Sequence, residues 1–194
     1  SAHPPRPSFF TPELEAFLLL TREEQVDPTA ALGSYAGAMG AGQFIPSSYR
    51  AYAVDGDADG KKDLWTDWDD VFGSVANYFA KHGWRTGEPV MEQAIRPERF
   101  VGPEPRNSLD LGDTVGSLTE QGYVFTTTLP VDAPAAAYSF EAEGGGSEYW
   151  VGYKNFHVVT RYNRSTKYAL AAHQLSQAIR SRYFEAVASA SGAQ

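Results

Sequence analysis

The stretch that most restricts this chain is DGDADGKKDLWTDWDD, running from Asp55 to Asp70. Asp55, Asp57 and Asp59 stand at alternating positions, and Gly60 follows at the sixth. Carboxylates crowded on one tight turn repel one another unless a hard cation gathers their oxygens, and calcium takes about six to eight such ligands. The pattern is the opening of an EF-hand loop, in which the Lys61 backbone carbonyl would be the next ligand. At position twelve, where that loop places a glutamate, stands Thr66. A loop a few residues longer would bring Asp69 or Asp70 round as the closing carboxylate, at the start of a following helix where an anion is favoured. A calcium loop with a displaced last ligand is the expectation; the alternative is a solvated acidic turn with an Asp helix cap.

A length of 194 residues suits one core, or a compact body with a small appended lobe. The net charge of −8 leaves no basic patch to neutralise a phosphate backbone, which argues against nucleic acid as a partner. Cysteine is absent, so disulfide scaffolds and thiolate metal sites are excluded. No apolar run approaches the ~20 residues of a membrane-spanning helix. The chain opens at Ser1 with neither an initiator Met nor a signal-like stretch, so a processed chain or a piece of a longer protein is expected. Its 11 Tyr and 4 Trp suit a carbohydrate groove, and equally suit cores in which the polar tip finds a partner.

Along the chain, Thr11 can cap a first helix, with Pro12 in its first turn and Leu14, Phe17 and Leu18 at helical spacing. A short helix is expected after Pro46. A stronger one is expected from about Asp69 to His82, with Phe72, Val75 and Phe79 as its buried stripe and Gly83 as its stop. From Arg85 to about Phe156 the runs PVMEQAI, YVFTTTL, AAAYSFEA, YWVGY and FHVVT read as short antiparallel strands, and EGGGSE as a hairpin loop. A long helix closes the chain from about Thr166 to Ala190, with Tyr168, Ala172, Leu175 and Ile179 along one face. The domains are thus a helical part with the calcium loop (1–85), a β-rich lobe (86–156), and a returning segment and helix (157–194) packed on the helical part. The fold class is α+β.

GSYAGAMGAGQFIPSSY, from Gly33 to Tyr49, has the grammar of close backbone approach. Gly33, Gly37, Gly40 and Gly42 remove side chains, while Ser34, Tyr35 and Gln43 supply uncharged donors and acceptors. Tight helix packing and a sugar-binding floor fit it equally well. Together with YAVDGDADG, GSVANYFAKHGW, GYKNFHVVTRYN and YALAAHQL, this segment closely resembles the lytic transglycosylase B family, over nearly the whole chain and in the right order. The resemblance implies a lysozyme-like, mainly α-helical body with a small antiparallel β insert and a lengthened EF-hand calcium site. It also implies periplasmic bacterial enzymes, soluble or lipid-anchored, that cleave the glycan strands of peptidoglycan. By the same resemblance the glycan-contacting residues are Ser34, Gln43, Tyr78, Tyr162, Asn163 and Tyr168, and Tyr35 joins them for its hydroxyl beside Ser34. The calcium ligands are Asp55, Asp57, Asp59, Lys61 and Asp70, with Asp69 as the rival for the last place.

Members of that family work with one glutamic acid, which protonates the glycosidic oxygen. As a base it then helps the C6 hydroxyl of N-acetylmuramic acid attack C1, leaving a 1,6-anhydro end. An internal hydroxyl replaces water, so the second carboxylate of ordinary glycosidases is not demanded. The family's V-E-(T/S)-x-(W/F)-G-like motif, which carries that Glu, does not occur between Ser1 and Gln194. Glu13, Glu15, Glu23 and Glu24 belong to a different, more surface-like helix. The resemblance therefore places the catalytic acid upstream of Ser1, with the N-terminal portion of the same enzyme as a partner. A non-catalytic calcium-dependent module that binds glycan or protein is the other reading.

Overall fold

The computed structural model describes residues 7–100 and 102–191. The chain divides into two compact units, one ending at Lys81 and the other beginning at His82.

In the first unit, α1 (Pro7–Glu23), α2 (Pro46–Tyr52) and α3 (Trp68–Lys81) are joined by long irregular connections. α1 starts earlier than its sequence suggests. It already includes Pro7, ahead of Thr11, and Pro12 lies inside the helix. Its buried face is Ala16, Leu20 and Thr21, while Leu14 and Leu18 are 59% and 56% exposed. Phe17 to Leu20 form an apolar run too wide for one stripe, and contact with α2 selects the side that is buried. α2 begins at Pro46 as expected, where the missing N–H and fixed φ cost nothing. In α3 the buried residues are Asp70, Val71, Ser74 and Tyr78, so the expected stripe is turned by about one position, and Phe72 is 66% exposed. The reason is polar: the Ser74 hydroxyl accepts the Val54 N–H at 2.9 Å, and this face of α3 holds the acidic loop.

The second unit is built on a four-stranded antiparallel sheet in the order β1-β4-β3-β2. Its strands are β1 (Met91–Ala94), β2 (Asp113–Thr114), β3 (Pro134–Glu141) and β4 (Ser147–Gly152). β3 and β4 form the expected hairpin around EGGGSE. The helices of this unit are α4 (Val115–Glu120), α5 (Lys154–Tyr162) and α6 (Thr166–Ser191). Leu118, Tyr123, Ala135, Val151 and Tyr153 make a core cluster on the sheet.

Two of the expected strands are not strands. YVFTTTL contributes only an isolated bridge, Ile95 to Val124. FHVVT lies inside α5, where Asn155, Phe156, Val159 and Thr160 are buried at helical spacing, so packing overrides its β-branched bias. Asn155 is fully buried and binds backbone far away in sequence: its Oδ1 accepts the Arg85 N–H at 2.8 Å, and its Nδ2 donates to the Arg85 and Glu88 carbonyls at 2.8 and 2.9 Å. α6 buries Ala169 and Leu170 near its start, whereas Leu175 and Ile179 are 61% and 59% exposed.

Candidate functional site

The segment from Gly33 to Phe44 is a knot of short backbone bonds. Gly33 bridges Met39, and Met39 bridges Phe44. The Ser34 hydroxyl oxygen accepts the Ala38 N–H at 3.1 Å, which leaves its own proton to donate outward. Gly40 shows why glycine is needed here. Its φ is +66°, and a Cβ would lie 2.4 Å from the Leu64 carbonyl oxygen, so the close approach is to this chain's own backbone. Gln43 has φ 51°, a left-handed conformation that is uncommon for a residue with a side chain, and its Nε2 folds back onto the Gly40 carbonyl at 3.0 Å.

Beside this knot lies a cavity of about 380 Å³, lined among others by Phe10, Glu13, Phe17, Ser34, Tyr35 and Met39. Tyr35 is 82% exposed and meets the Phe10 ring edge-on at 6.2 Å. The structure thus brings Ser34 and Tyr35 into one concave, largely apolar wall that includes the Phe10 and Phe17 rings. Gln43 does not line it. Tyr78 is 9% exposed and sits between the rings of Phe44 and Tyr52, at 5.8 and 4.9 Å. In the second unit, Tyr162 ends α5, Asn163 caps it with its N–H on the Val159 carbonyl, and Tyr168 lies in the first turn of α6, 41% exposed.

Sequence reasoning did not place Glu13 in this wall. Its signal was the exposed flank of α1, which reads as ordinary surface. Both Glu13 oxygens are engaged at the start of α2, accepting the Ser47 N–H at 3.0 Å and the Ser47 hydroxyl at 2.6 Å. Glu23 pairs in a fork with Arg50 at 2.8 and 2.7 Å, which holds its carboxyl below the usual range. Glu24 lies 3.4 Å from Lys62.

In the acidic loop, carboxylate oxygens of Asp55, Asp57 and Asp59 lie within 4.8 Å of one another. Gly60 turns the chain with φ +92°, and its N–H donates to Asp55 at 2.8 Å. The Asp57 carboxyl accepts the Asp59 N–H, which pulls it down. Desolvation and the neighbouring Asp59, Asp67 and Asp55 charges prevail and hold it above its ordinary value. Three convergent hard oxygens, charged and repelling, fit a calcium ion. Asp70 stands outside this group. It is 1% exposed, and its two oxygens accept the N–H of Gly56 and of Asp63, each at 2.6 Å, clasping the two ends of the loop. Asp69 is exposed, and Asp67 caps α3 by accepting the Asp69 and Asp70 N–H groups at 2.8 and 3.2 Å.

Asp63 organises the next turn. Burial works to raise its pKa, but the Thr66 hydroxyl and the Thr66 and Trp65 N–H groups outweigh it and hold the carboxyl low. Its stabilising bonds are therefore present at neutral pH and are lost as the pH falls through that depressed value. The Trp65 and Thr66 amide proton shifts should titrate together, with a midpoint below that of an unstructured Asp. A midpoint at or above the ordinary Asp value would contradict this geometry.

Among the described residues, no helix is long and apolar enough to cross a membrane. Comparison with known proteins gives a consistent result. Residues 1–177 match the model of the transglycosylase SLT domain. The chain is 44% identical over 177 residues to the membrane-bound lytic murein transglycosylase B of Escherichia coli, covering 91% of this chain and 47% of that protein. Among solved structures, the soluble lytic transglycosylase SltB1 from Pseudomonas aeruginosa aligns with a TM-score of 0.83 at 48% identity, over 93% of this chain and 60% of that one. The Escherichia coli lytic transglycosylase Slt35 in complex with calcium aligns with a TM-score of 0.75 at 42% identity, over 90% of this chain and 54% of that one. The chain thus spans about half the length of the proteins it matches, and it shares their lysozyme-like transglycosylase fold, with six helices and one small antiparallel sheet among the described residues. By the extent and order of this match, the chain belongs to the SLT transglycosylase family.

Proposed function

We propose that this chain is the glycan-binding and calcium-binding part of a periplasmic murein lytic transglycosylase. The observation that carries the proposal is the concave wall of Ser34 and Tyr35, set among aromatic rings in a chain of this family. Apolar walls with a few oriented hydroxyls suit the faces and edges of sugar rings. Ser34, Tyr35, Gln43 and Tyr78 in the first unit, with Tyr162, Asn163 and Tyr168 in the second, are the residues we assign to glycan contact. Asp55, Asp57, Asp59 and the Lys61 carbonyl would hold calcium. Asp70 would close the site, since each of its oxygens keeps a lone pair beyond the N–H it already accepts. A calcium ion there neutralises the loop charge and braces α3.

The reaction is non-hydrolytic cleavage of the bond between N-acetylmuramic acid and N-acetylglucosamine, leaving a 1,6-anhydro end. It needs one carboxylic acid within reach of the glycosidic oxygen. Glu13, Glu23 and Glu24 are already committed to Ser47, Arg50 and Lys62, and Glu15 stands exposed on α1. We therefore assign the acid to a segment upstream of Ser1. Incubation of this chain with purified peptidoglycan, followed by mass spectrometry, should give no anhydro-ended fragments, and addition of the N-terminal half of the enzyme should restore them. Anhydro ends from the chain alone would place the acid within these residues. Binding of glycan with no cleavage even after that addition would favour a non-catalytic module.

A further inference from the structure

The edge of β3 that faces away from β4 carries a gap one residue long. Residues of an antiparallel strand direct their N–H and C=O groups to alternate sides, so Ala135, Ala137 and Ser139 share the outer edge. Just before β3, the Ala133 carbonyl accepts the Val115 N–H at 3.0 Å, and Ala135 pairs with Asp113 of β2. At the other end a side chain replaces a strand. Asn107, with φ 49°, accepts the Ser139 N–H on Oδ1 at 2.8 Å and donates from Nδ2 to the Ser139 carbonyl at 2.7 Å. Ala137 lies between these two pairings. Among the described residues no group meets its outward N–H and C=O, and the passing chain offers Pro103 and Pro105, which have no N–H to give.

Between that chain and β3 is a cavity of about 320 Å³, whose walls include Pro105, Arg106, Gln121, Tyr123 and Ala137. Tyr123 is 2% exposed, and among the described residues its hydroxyl has no hydrogen-bond partner. A buried hydroxyl left in this state is costly, and an acceptor on a ligand in the cavity would satisfy it. Its ring is fixed by Phe100 at 4.6 Å. Burial first, opposed by Arg96 and reinforced by the Glu104 and Asp113 charges at the cavity, pushes its pKa up, so it stays a donor. Those two carboxylates are occupied: Glu104 by Arg96 at 2.7 Å, and Asp113 by Gln121 at 3.0 Å. Arg106, exposed at the rim, makes no ion pair among the described residues.

We propose that this gap is a slot for an extended peptide. One ligand residue lies along Ala137 and completes the edge with its own N–H and C=O, as the Asn107 amide does one step further on. The Tyr123 hydroxyl donates to a ligand carbonyl within the cavity, and a peptide carboxylate meets Arg106 at the rim. The cavity is at the small end of ligand sites, which start at about 300 Å³, and so holds a residue or two and not a sugar chain. On the reading that the chain acts on murein, the occupant is the short peptide carried by the glycan strand; the source of the peptide, but not the slot itself, rests on that reading.

The test is amide-shift mapping of the isotopically labelled chain with two probes: a sugar-free murein pentapeptide and a peptide-free murein tetrasaccharide. The pentapeptide should shift the amides of Ala137, Asn107 and Tyr123. Tyr123→Phe removes no existing bond, so it should leave the spectrum folded and weaken the peptide about five- to tenfold. Ala137→Pro should abolish binding, since an outward-facing edge position tolerates proline but loses its N–H. If that variant does not fold, Tyr123→Phe decides. No shift with the pentapeptide, shifts confined elsewhere, or unchanged affinity in Tyr123→Phe overturns the slot. Tetrasaccharide binding alone sinks the slot and leaves the proposed function standing. Pentapeptide binding at Ala137 without tetrasaccharide binding keeps the slot and overturns the glycan contacts of the proposed function.

Discussion

Asp70→Ala should destabilise the first unit by about 2–3 kcal/mol when measured in the presence of a chelator. The carboxylate is 1% exposed, and its two oxygens hold the N–H groups of Gly56 and Asp63 at 2.6 Å. Each hydrogen bond to a charged acceptor contributes about 1.5–3 kcal/mol, and removal of the acceptor leaves a donor without a partner. Two such losses would exceed the stated figure, but two effects reduce it. Gly56 is exposed enough for water to reach its N–H, and the variant no longer buries a carboxylate that lacks a cationic partner. Asp70→Asn should fall between, because an amide can accept from one N–H while its NH₂ opposes the other. Denaturant unfolding, with amide exchange of α3 to assign the loss to this unit, is the measurement. A loss below about 0.5 kcal/mol, the range of ordinary surface substitutions, would show that the clasp contributes little.

Calcium should raise the stability of the same unit by about 2.7 kcal/mol at a concentration about 100-fold above its dissociation constant. Asp55→Ala and Asp59→Ala should each remove that gain. The two variants differ without metal. The Asp55 carboxylate accepts the Gly60 and Asp59 N–H groups, so its removal already costs stability in chelator. Among the described residues Asp59 accepts only the Lys61 N–H at the exposed turn, and its loss should be nearly silent until calcium is added. Melting curves across a calcium titration read both quantities. If the wild-type curve does not move, or if both variants follow it, the loop is an acidic turn and nothing more.

Much of the architecture was legible because local chemistry and packing agree. Pro46 marks the start of α2, and Gly83, at φ +88°, follows the end of α3. EGGGSE separates two strands that pair in register from Ala136 with Gly152 to Glu141 with Ser147. The failures share one cause, which is that tertiary contact chose among local options. FHVVT has the composition of a strand, yet its buried positions suit only a helix. α4 was missed because its capping box closes with Ser117 at the third position, where a glutamate or glutamine is the usual signal. At the candidate site, Asp55, Asp57 and Asp59 were legible as a cluster because a turn brings near neighbours together whatever the surrounding fold. Glu13 beside Ser34 was not, because that pairing depends on which face of α1 is turned toward α2.

The two units differ in when their key polar contacts can form. The Asp70 clasp joins groups 7 and 14 residues apart, so it can close as soon as α3 has been synthesised. The Asn155 contacts join groups 70 and 67 residues apart, and β1 cannot find β4 until nearly the whole lobe exists. Closing the longer loop is entropically slower and leaves strand edges open while it waits. Emergence from the ribosome therefore gives a first unit able to order early and a second that stays a folding liability until α5 arrives. Substitutions that slow productive folding and promote aggregation should accordingly concentrate between His82 and Tyr162, even where they leave the finished structure as stable as before.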